Sequence, residues 1–150
     1  MSFDVRRCQT NALNVRSLRS GDKRLLAGLD ALCFPQDEPY PIAGRWWWVI
    51  EDINWNPVAY AGLARCPETP GHMFLCRSGT LPTHRRKGFA HRLTLARLEF
   101  ASTRCESVIT YVDRANVASG NNLIKAGMKL CVPTYRYGGD EAIYFAKDFA

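Results

Sequence analysis

Residues 81–90 of this 150-residue chain read LPTHRRKGFA and join an apolar segment to an amphipathic one. The preceding residues 73–76 read MFLC, a short apolar run typical of a buried strand. After the loop, apolar residues recur every three or four positions, as they do on the buried face of a helix; they are Phe89, Leu93, Ala96 and Phe100. The sequence therefore predicts a strand, a basic loop and a helix in direct succession.

The basic loop is typical of an anion-binding cradle. The first backbone N–H groups of a helix have no intrahelical acceptor and carry a partial positive charge, so a phosphate placed there finds both donors and a favourable dipole. Arg85, Arg86 and Lys87 add positive charge, and Gly88 lets a ligand approach the backbone because it has no Cβ atom. The glycine spacings of a nucleotide P-loop and of a dinucleotide-binding βαβ unit are both absent from the sequence.

A second informative segment, residues 116–128, reads NVASGNNLIKAGM. Asn116 is a good N-cap for a helix that ends at Lys125, and Gly127 suits the left-handed position that often follows a helix. A capping role and a ligand-binding role can coexist at Asn116, because the side chain lies at the exposed start of a helix.

Together, the two segments resemble the GNAT superfamily of N-acetyltransferases. The pyrophosphate-binding motif of that family is Gln/Arg-x-x-Gly-x-Gly/Ala, which matches Arg85 to Ala90 here, although the commoner form has glycine where Arg86 stands. The second segment resembles the family pattern of an Asn, a Ser or Ala three residues later, and a closing Lys-x-Gly-Phe. The resemblance implies that the chain transfers an acetyl group from acetyl-CoA to an amine.

The resemblance also implies which residues hold acetyl-CoA. The cradle would bind the pyrophosphate, Asn116 would bond to the amide groups of the pantetheine arm, and backbone groups at Thr80 and Leu81 would serve that arm and the thioester. The Leu81 N–H is the candidate donor to the oxyanion of the tetrahedral intermediate. The expected cofactor-binding residues are Thr80, Leu81, Arg85, Arg86, Lys87, Gly88, Phe89, Ala90, Asn116, Ser119 and Asn122. No metal is expected.

The acid and the base of the reaction are less well defined. Many amine-acetylating relatives have a tyrosine seven residues after the asparagine, where this chain has Leu123. Many also have an acidic residue on the strand before Leu81, where this chain has Arg77. The remaining candidates are Asp113, Asp37 and Glu38 for the base, and Tyr111, Tyr135 and Tyr137 for the acid. We select Asp113 and Tyr137, although each has an ordinary alternative as a surface carboxylate or a core aromatic.

The rest of the chain fits an α+β fold, in which helices cover a mixed, strongly twisted sheet of about six or seven strands, as in GNAT proteins. A helix is expected after Ser20 or Asp22, with Leu25, Leu29 and Leu32 on its buried face. Strands are expected at residues 12–18, 46–51, 57–65, 108–112, 132–137 and 142–145, and residues 138–140 would turn the last pair. Residues 1–150 are expected to form a single GNAT-like domain.

Acceptor recognition is expected outside the two motifs. Residues 46–48 are three tryptophans on one strand, so two are expected in the core, and the third, with Tyr40, could wall an acceptor groove beside Asp37 and Glu38. The expected acceptor is a primary amine: a protein N-terminus, a lysine or a small molecule. The alternative, which the missing tyrosine and acid make credible, is a catalytically silent GNAT-like module that binds CoA or a macromolecular partner.

Composition narrows the class of protein. A polyanionic cofactor such as CoA accounts for the formal charge of +6, although basic residues between Arg6 and Arg24 keep a nucleic-acid partner as a less favoured alternative. The six cysteines have no metal-binding spacing, and Cys33 and Cys76 are expected to be reduced core residues. No apolar run of membrane-spanning length and no signal-peptide pattern occurs, so we expect a cytoplasmic protein. We expect it to be a monomer or a homodimer.

Overall fold

The computed structural model describes residues 15–17 and 22–149. Within them, seven strands form one sheet in the order β1-β2-β3-β4-β5-β7-β6, flanked by three α-helices. The strands are β1 (Val15–Ser17), β2 (Trp46–Glu51), β3 (Pro57–Arg65), β4 (His72–Thr80), β5 (Ser107–Asp113), β6 (Lys129–Cys131) and β7 (Ala142–Asp148). The helices are α1 (Lys23–Cys33), α2 (Phe89–Ala101) and α3 (Val117–Lys125), and a 3₁₀ turn spans Pro82–His84. The predicted mixed α+β sheet is therefore confirmed.

The hairpin of β2 and β3 has the predicted bounds. Asp52 makes the turn, because its Oδ1 accepts hydrogen bonds from the backbone N–H groups of Asn54 and Asn56 at 2.8 and 2.9 Å. β3 lies between β2 and β4 and is buried along most of its length, as its apolar sequence requires. Of the strand predicted at residues 12–18, only β1 falls within the described residues.

The first helix begins at Lys23, as predicted, but it buries a different stripe. Leu26, Leu29 and Cys33 are buried, whereas Leu32 is 65% exposed. Spacings of three and four residues place the three buried side chains on one face, and Leu32 projects elsewhere. The prediction that Leu32 packs in the core is wrong.

The strand predicted at residues 132–137 is also wrong. The chain pairs earlier with β7, through β6, and then leaves the sheet. Pro133 has no N–H to donate to a ladder, and Val132 is 92% exposed. The following residues form a connection that carries Tyr137 against Phe74 of β4, with ring centroids 5.1 Å apart.

The two faces of the sheet have separate apolar cores. On one face, α2 packs Leu93 and Leu98 against the centre of the sheet, where Leu75 and Met73 of β4 are buried. On the other face, α1 packs Leu26 and Leu29 around Trp47 and Tyr60. Each fully buried side chain of this size contributes roughly 1.5–3 kcal/mol, so both helices are held firmly to the sheet. Cys33 and Cys76 are buried, as predicted.

The sheet opens between β4 and β5. These parallel strands pair only near their starts, at His72 with Ser107, Met73 with Val108 and Phe74 with Ile109. Both strands then continue without further pairing to each other, β4 to Thr80 and β5 to Asp113. The Thr110 hydroxyl bridges the start of the opening by donating to the Leu75 carbonyl at 3.0 Å. Strand divergence therefore creates a cleft in the middle of the molecule.

Candidate active site

The opening between β4 and β5 forms a cleft of about 380 Å³. Its walls include residues 74–78 of β4 and 110–113 of β5. The other lining residues come from α2, α3 and the segment after α1: Ala90, Thr94, Arg97, Asn116, Ser119, Asn122, Leu123, Phe34 and Tyr40. The cleft therefore brings together five residues selected from the sequence, namely Ala90, Asp113, Asn116, Ser119 and Asn122.

The basic loop leads into α2 with an open helix start. Gly88 precedes the helix with a φ of +79°, and no side chain caps the helix there. A Cβ atom at this position would meet nothing within 4 Å, so a ligand can reach the backbone. The helix ladder begins with the bond from Arg92 N–H to Gly88 O at 3.1 Å, and the preceding N–H groups have no helical acceptor. These features are those of an anion cradle.

Arg86 holds a backbone conformation that normally favours glycine. Its φ is +65°, in the left-handed region, and it occupies the position where the commoner family motif has glycine. The loop thus keeps the backbone path that a glycine would allow while it presents an additional cation. For a non-glycine residue this path costs roughly 1–2 kcal/mol.

β4 has a bulge beside the cleft. Ala61 of β3 pairs with Ser78, but Leu63 pairs with Leu75, so two residues of β4, Cys76 and Arg77, lie opposite the single Gly62. A bulge of this kind leaves ladder groups without their usual partners and redirects side chains, which is why bulges recur next to active sites.

The expected role of the Leu81 N–H is wrong in this structure. That N–H donates to the Val58 carbonyl at 2.9 Å and so extends the ladder to β3. Because the N–H groups of successive strand residues alternate between the two edges, those of Ser78 and Thr80 are directed away from β3, towards the cleft. The Thr80 carbonyl, on the same edge, accepts from Arg85 Nε at 3.2 Å.

Arg97 lies in the buried interior beside the bulge. Its side chain donates to the carbonyls of Gly62 at 3.0 Å, Cys76 at 3.2 Å and Leu93 at 3.2 Å, and to Thr94 Oγ1 at 3.2 Å. The residue is only 3% exposed, and burial lowers the pKa of its guanidinium to about 10. Arg97 belongs to neither sequence motif, but a charged residue four positions after Leu93, on the buried face of the helix, is a signal that the sequence does contain.

Arg77 projects towards α1, where two carboxylates neutralise it. Its guanidinium lies 3.2 Å from Asp30 Oδ1 and 3.2 Å from Asp37 Oδ2, between the rings of Phe34 and Tyr40, at 4.4 and 5.0 Å from their centroids. The sequence does not reveal Asp30 as the buried partner of Arg77, because only the folded chain brings the two residues together.

Asp30 is the centre of this buried network. It accepts from the Tyr60 hydroxyl, from the Tyr40 N–H at 3.2 Å and from Arg77. Burial by itself would raise the pKa of the carboxyl group, but these hydrogen bonds and the charge of Arg77 outweigh it, so the pKa lies below its ordinary value. Asp30 is therefore an ionised anchor in this structure, and a weak base.

The two residues selected as base and acid lie apart. Asp113 borders the cleft, but its Oδ1 accepts from the Ala115 N–H at 2.8 Å and so shapes the turn after β5. Tyr137 lies in a smaller cavity of about 150 Å³, where its hydroxyl contacts Thr69 Oγ1 at 3.1 Å and burial raises its pKa to about 12. Of the three candidate tyrosines, Tyr111 lines the main cleft.

The start of α3 carries Asn116 as a helix cap. Its side chain accepts from the Ser119 N–H at 3.2 Å, as the sequence predicts for an N-cap. Leu123, which occupies the usual tyrosine position, is 7% exposed and packs in the core around α2. The described cleft thus has an apolar side chain where a general acid would be expected.

The three tryptophans divide between the faces of the sheet. Trp47 and Trp48 are buried, as expected for two of the three. The third, Trp46, packs on Phe100 of α2, whereas Tyr40 packs on Trp47 on the opposite face. The expectation that the third tryptophan joins Tyr40 in an acceptor groove is therefore wrong.

The match to a family model completes these observations. The model described as the acetyltransferase (GNAT) family matches residues 20–128, which include both motifs and the residues that line the cleft. The chain belongs to the GNAT acetyltransferase family. As a member it is an acyl-CoA-dependent N-acetyltransferase, and the co-substrate of its family is acetyl-CoA. No curated protein sequence matches it significantly.

Solved GNAT structures share its fold. A spermidine N-acetyltransferase chimera of SpeG from Vibrio cholerae and hSSAT has a TM-score of 0.68 at 17% identity, covering 89% of this chain and 95% of that one. The ribosomal-protein-S18-alanine N-acetyltransferase from Escherichia coli has a TM-score of 0.69 at 15% identity, covering 91% of this chain and 93% of that one. At such identities the likeness concerns the fold alone.

Among residues 15–17 and 22–149, no three His, Cys, Asp or Glu side chains come together as ligands of a metal ion would. In the same part of the chain, no helix has the length and apolar character needed to cross a bilayer.

Proposed function

We propose that the cleft binds acetyl-CoA and transfers its acetyl group to a primary amine. The proposal rests on the combination of three structural features: an uncapped helix start at Gly88, an opening between β4 and β5, and a bulge at Cys76 and Arg77. The cofactor is long, and a phosphate at the helix start would let its pantetheine arm follow the opening to the bulge.

Each part of the cofactor has a proposed partner. The backbone at Gly88, Phe89 and Ala90 would bind the pyrophosphate, with Arg85, Arg86 and Lys87 neutralising its charge. The Thr80 N–H, on the edge of β4 that is directed away from β3, would bond to the pantetheine arm from one side. Asn116, Ser119 and Asn122, which line the opposite side of the cleft, would bond to it from the other.

The reaction would take place at the bulge. The amine nitrogen attacks the thioester carbon and forms the C–N bond, while the carbonyl oxygen gains negative charge. Since the Leu81 N–H is engaged by Val58, we propose the Ser78 N–H as the oxyanion donor. The tetrahedral intermediate then breaks the C–S bond, sulfur leaves with the electron pair as a thiolate, and the nitrogen releases its extra proton to solvent.

The free-energy cost of deprotonating the acceptor favours an amine of low pKa. Holding a lysine-type amine neutral near pH 7 costs roughly 4–5 kcal/mol, whereas an α-amine costs about 1 kcal/mol. Asp37 is paired with Arg77, Asp113 is engaged in a turn, and Glu38 does not line the cleft, so none of the three candidate carboxylates is both free and in the cleft. We therefore propose an α-amine, on a peptide or a small molecule, as the preferred acceptor. Tyr111, in the cleft, is a better placed proton donor than Tyr137.

Binding and turnover test the proposal separately. Acetyl-CoA, unlike NAD or ATP, should raise the melting temperature, and at a hundredfold its dissociation constant it should add about 2.7 kcal/mol of stability. Gly88→Val is the matched binding-deficient variant, because a branched residue cannot readily adopt the left-handed conformation at the cradle. An unchanged melting curve of the parent at millimolar acetyl-CoA would reject the cofactor assignment.

Release of free thiol should then be measured over a panel of amines that includes peptides with free α-amines, lysine derivatives and polyamines. Turnover that favours α-amines is the expected result. Binding of acetyl-CoA without turnover of any amine would instead support the alternative, a silent GNAT-like module.

A further inference from the structure

Arg97 carries a buried charge that the described structure does not neutralise. The ion pairs among residues 15–17 and 22–149 involve Arg16 and Arg77, and none involves Arg97. Its donors reach only neutral groups, three carbonyls and one hydroxyl. A buried cation without a counter-ion is expensive to maintain, so a purely structural position of this kind is normally filled by an apolar residue.

The charge lies beside the proposed reaction centre. Arg97 lines the cleft, and its Nη1 binds both the Gly62 and the Cys76 carbonyls, which flank the bulge from β3 and β4. The guanidinium therefore holds the bulge in shape from the α2 side. Thr94, one turn earlier on α2, accepts from Nη2 and fixes the orientation of the guanidinium plane.

The proposed reaction produces an anion at this place. When the C–S bond breaks, sulfur keeps the electron pair and leaves as a thiolate, and Leu123 offers no proton from the usual position. A fixed positive charge that is itself buried away from water stabilises a charge that develops nearby more than an exposed cation would. We propose that Arg97 is a positioning residue that stabilises the departing CoA thiolate and so compensates for the tyrosine that is missing at position 123. This inference rests on the proposed function.

Other charged or titratable groups around the cleft do not offer the same stabilisation. β4 contributes Cys76 and Arg77, and Arg77 is held by two carboxylates. β5 contributes Tyr111 and the anionic Asp113, whose charge would disfavour a thiolate, and Tyr40 comes from the segment after α1. The lining residues of α3 are neutral: Asn116, Ser119, Asn122 and Leu123. Arg97 is thus the cleft cation that keeps its full charge available.

The pKa of the thiol of bound CoA measures this effect directly and needs no acceptor. It can be titrated through the ultraviolet absorbance of the thiolate, with the complex of desulfo-CoA, which lacks the thiol, as the blank for the protein's own cysteines and tyrosines. In the parent protein the thiol pKa should fall by about one unit or more relative to free CoA. A role limited to holding the bulge would leave it unshifted.

Two variants of similar length separate charge from shape. Arg97→Met should return the thiol pKa to the value of free CoA, whereas Arg97→Lys should keep most of the shift. Arg104→Met removes an exposed arginine just beyond the same helix, whose side chain lies over Phe100, and should leave the shift unchanged.

The outcomes are decisive even if Arg97→Met does not fold. A thiol pKa in the parent equal to or above that of free CoA would overturn the inference, as would an equal shift in a folded Arg97→Met. If CoA does not bind the parent by calorimetry, it is the proposed function that fails, so the two failures are distinguishable.

Discussion

The guanidinium groups of Arg77 and Arg97 lie on opposite faces of the sheet at the same bulge of β4, and they differ in whether a carboxylate neutralises their charge. Arg77 lies among aromatic rings on the α1 side, with Asp30 and Asp37 as counter-ions. Arg97 lies on the α2 side, more deeply buried, and binds only neutral acceptors. One arginine completes an ion-pair network, and the other leaves a positive potential at the cleft.

This difference predicts that the two arginines make different contributions, one to stability and the other to function. Removing one partner of a buried pair leaves an uncompensated charge, which is among the most destabilising changes known. Removing a buried charge that has no partner relieves a desolvation penalty at the same time as it loses hydrogen bonds. The first arginine should therefore matter most for folding and the second most for chemistry.

The largest expected effect is on the free energy of unfolding of Arg77→Met. The substitution leaves Asp30 buried without its cation and should cost about 3 kcal/mol, whereas Arg97→Met should change stability by less than about 2 kcal/mol in either direction. Denaturant unfolding of both variants measures the difference. Adding Asp30→Asn to Arg77→Met should recover part of the loss. If Arg97→Met proves the more destabilising of the two, the comparison is reversed.

An intermediate effect is expected in the pH dependence of Asp30→Asn. The folded-state pKa of Asp30 lies below its unfolded value, so the carboxylate contributes stability at neutral pH, and this contribution disappears as the pH falls below about 4 towards the folded-state pKa. The parent should therefore lose stability on acidification more steeply than the variant. Thermal melts at several pH values between neutral and acidic measure it, and parallel curves would show that Asp30 is not ionised in the fold.

The smallest expected effect concerns a third arginine, Arg86, which is exposed and strained. Arg86→Gly relieves the left-handed backbone and should leave stability unchanged or raise it by up to about 1 kcal/mol. Lys87→Gly, at the neighbouring position, is the matched control and should be destabilising, because its backbone is not in the left-handed region. The denaturant midpoint should therefore stay the same or rise in Arg86→Gly and fall in Lys87→Gly. A loss of stability in Arg86→Gly would contradict the inference that the Arg86 backbone is strained.

Local sequence patterns predicted much of the molecule. The cradle at Gly88, the cap at Asn116, the hairpin of β2 and β3 and the α+β sheet all follow from residues close together in the chain. Two local predictions were wrong. The buried stripe of α1 was misplaced because the helical pattern fits two neighbouring stripes, so that Leu32 is exposed, and the strand predicted after β6 does not form because a proline interrupts its apolar run.

In the candidate site, too, some features could be predicted from the sequence and others could not. The open helix start at Gly88 was predictable because it depends on local residue types, and its role in binding the cofactor stays a prediction. The Leu81 N–H could not be assigned correctly, since the direction of a strand N–H depends on which neighbour it pairs with, and that neighbour is Val58, far away in sequence. The partners of Arg77 and the surroundings of Arg97 depend likewise on contacts between distant elements.

The sequence by itself determined the family, the glycine-preceded start of α2 and the absence of a tyrosine at position 123, because each depends on residue types at fixed spacings. Only the tertiary structure decided that Arg77 is neutralised and Arg97 is not. Whether a charge is compensated depends on which side chains and carbonyls the fold places within a few ångströms of it, and the linear order of the chain does not contain that distance.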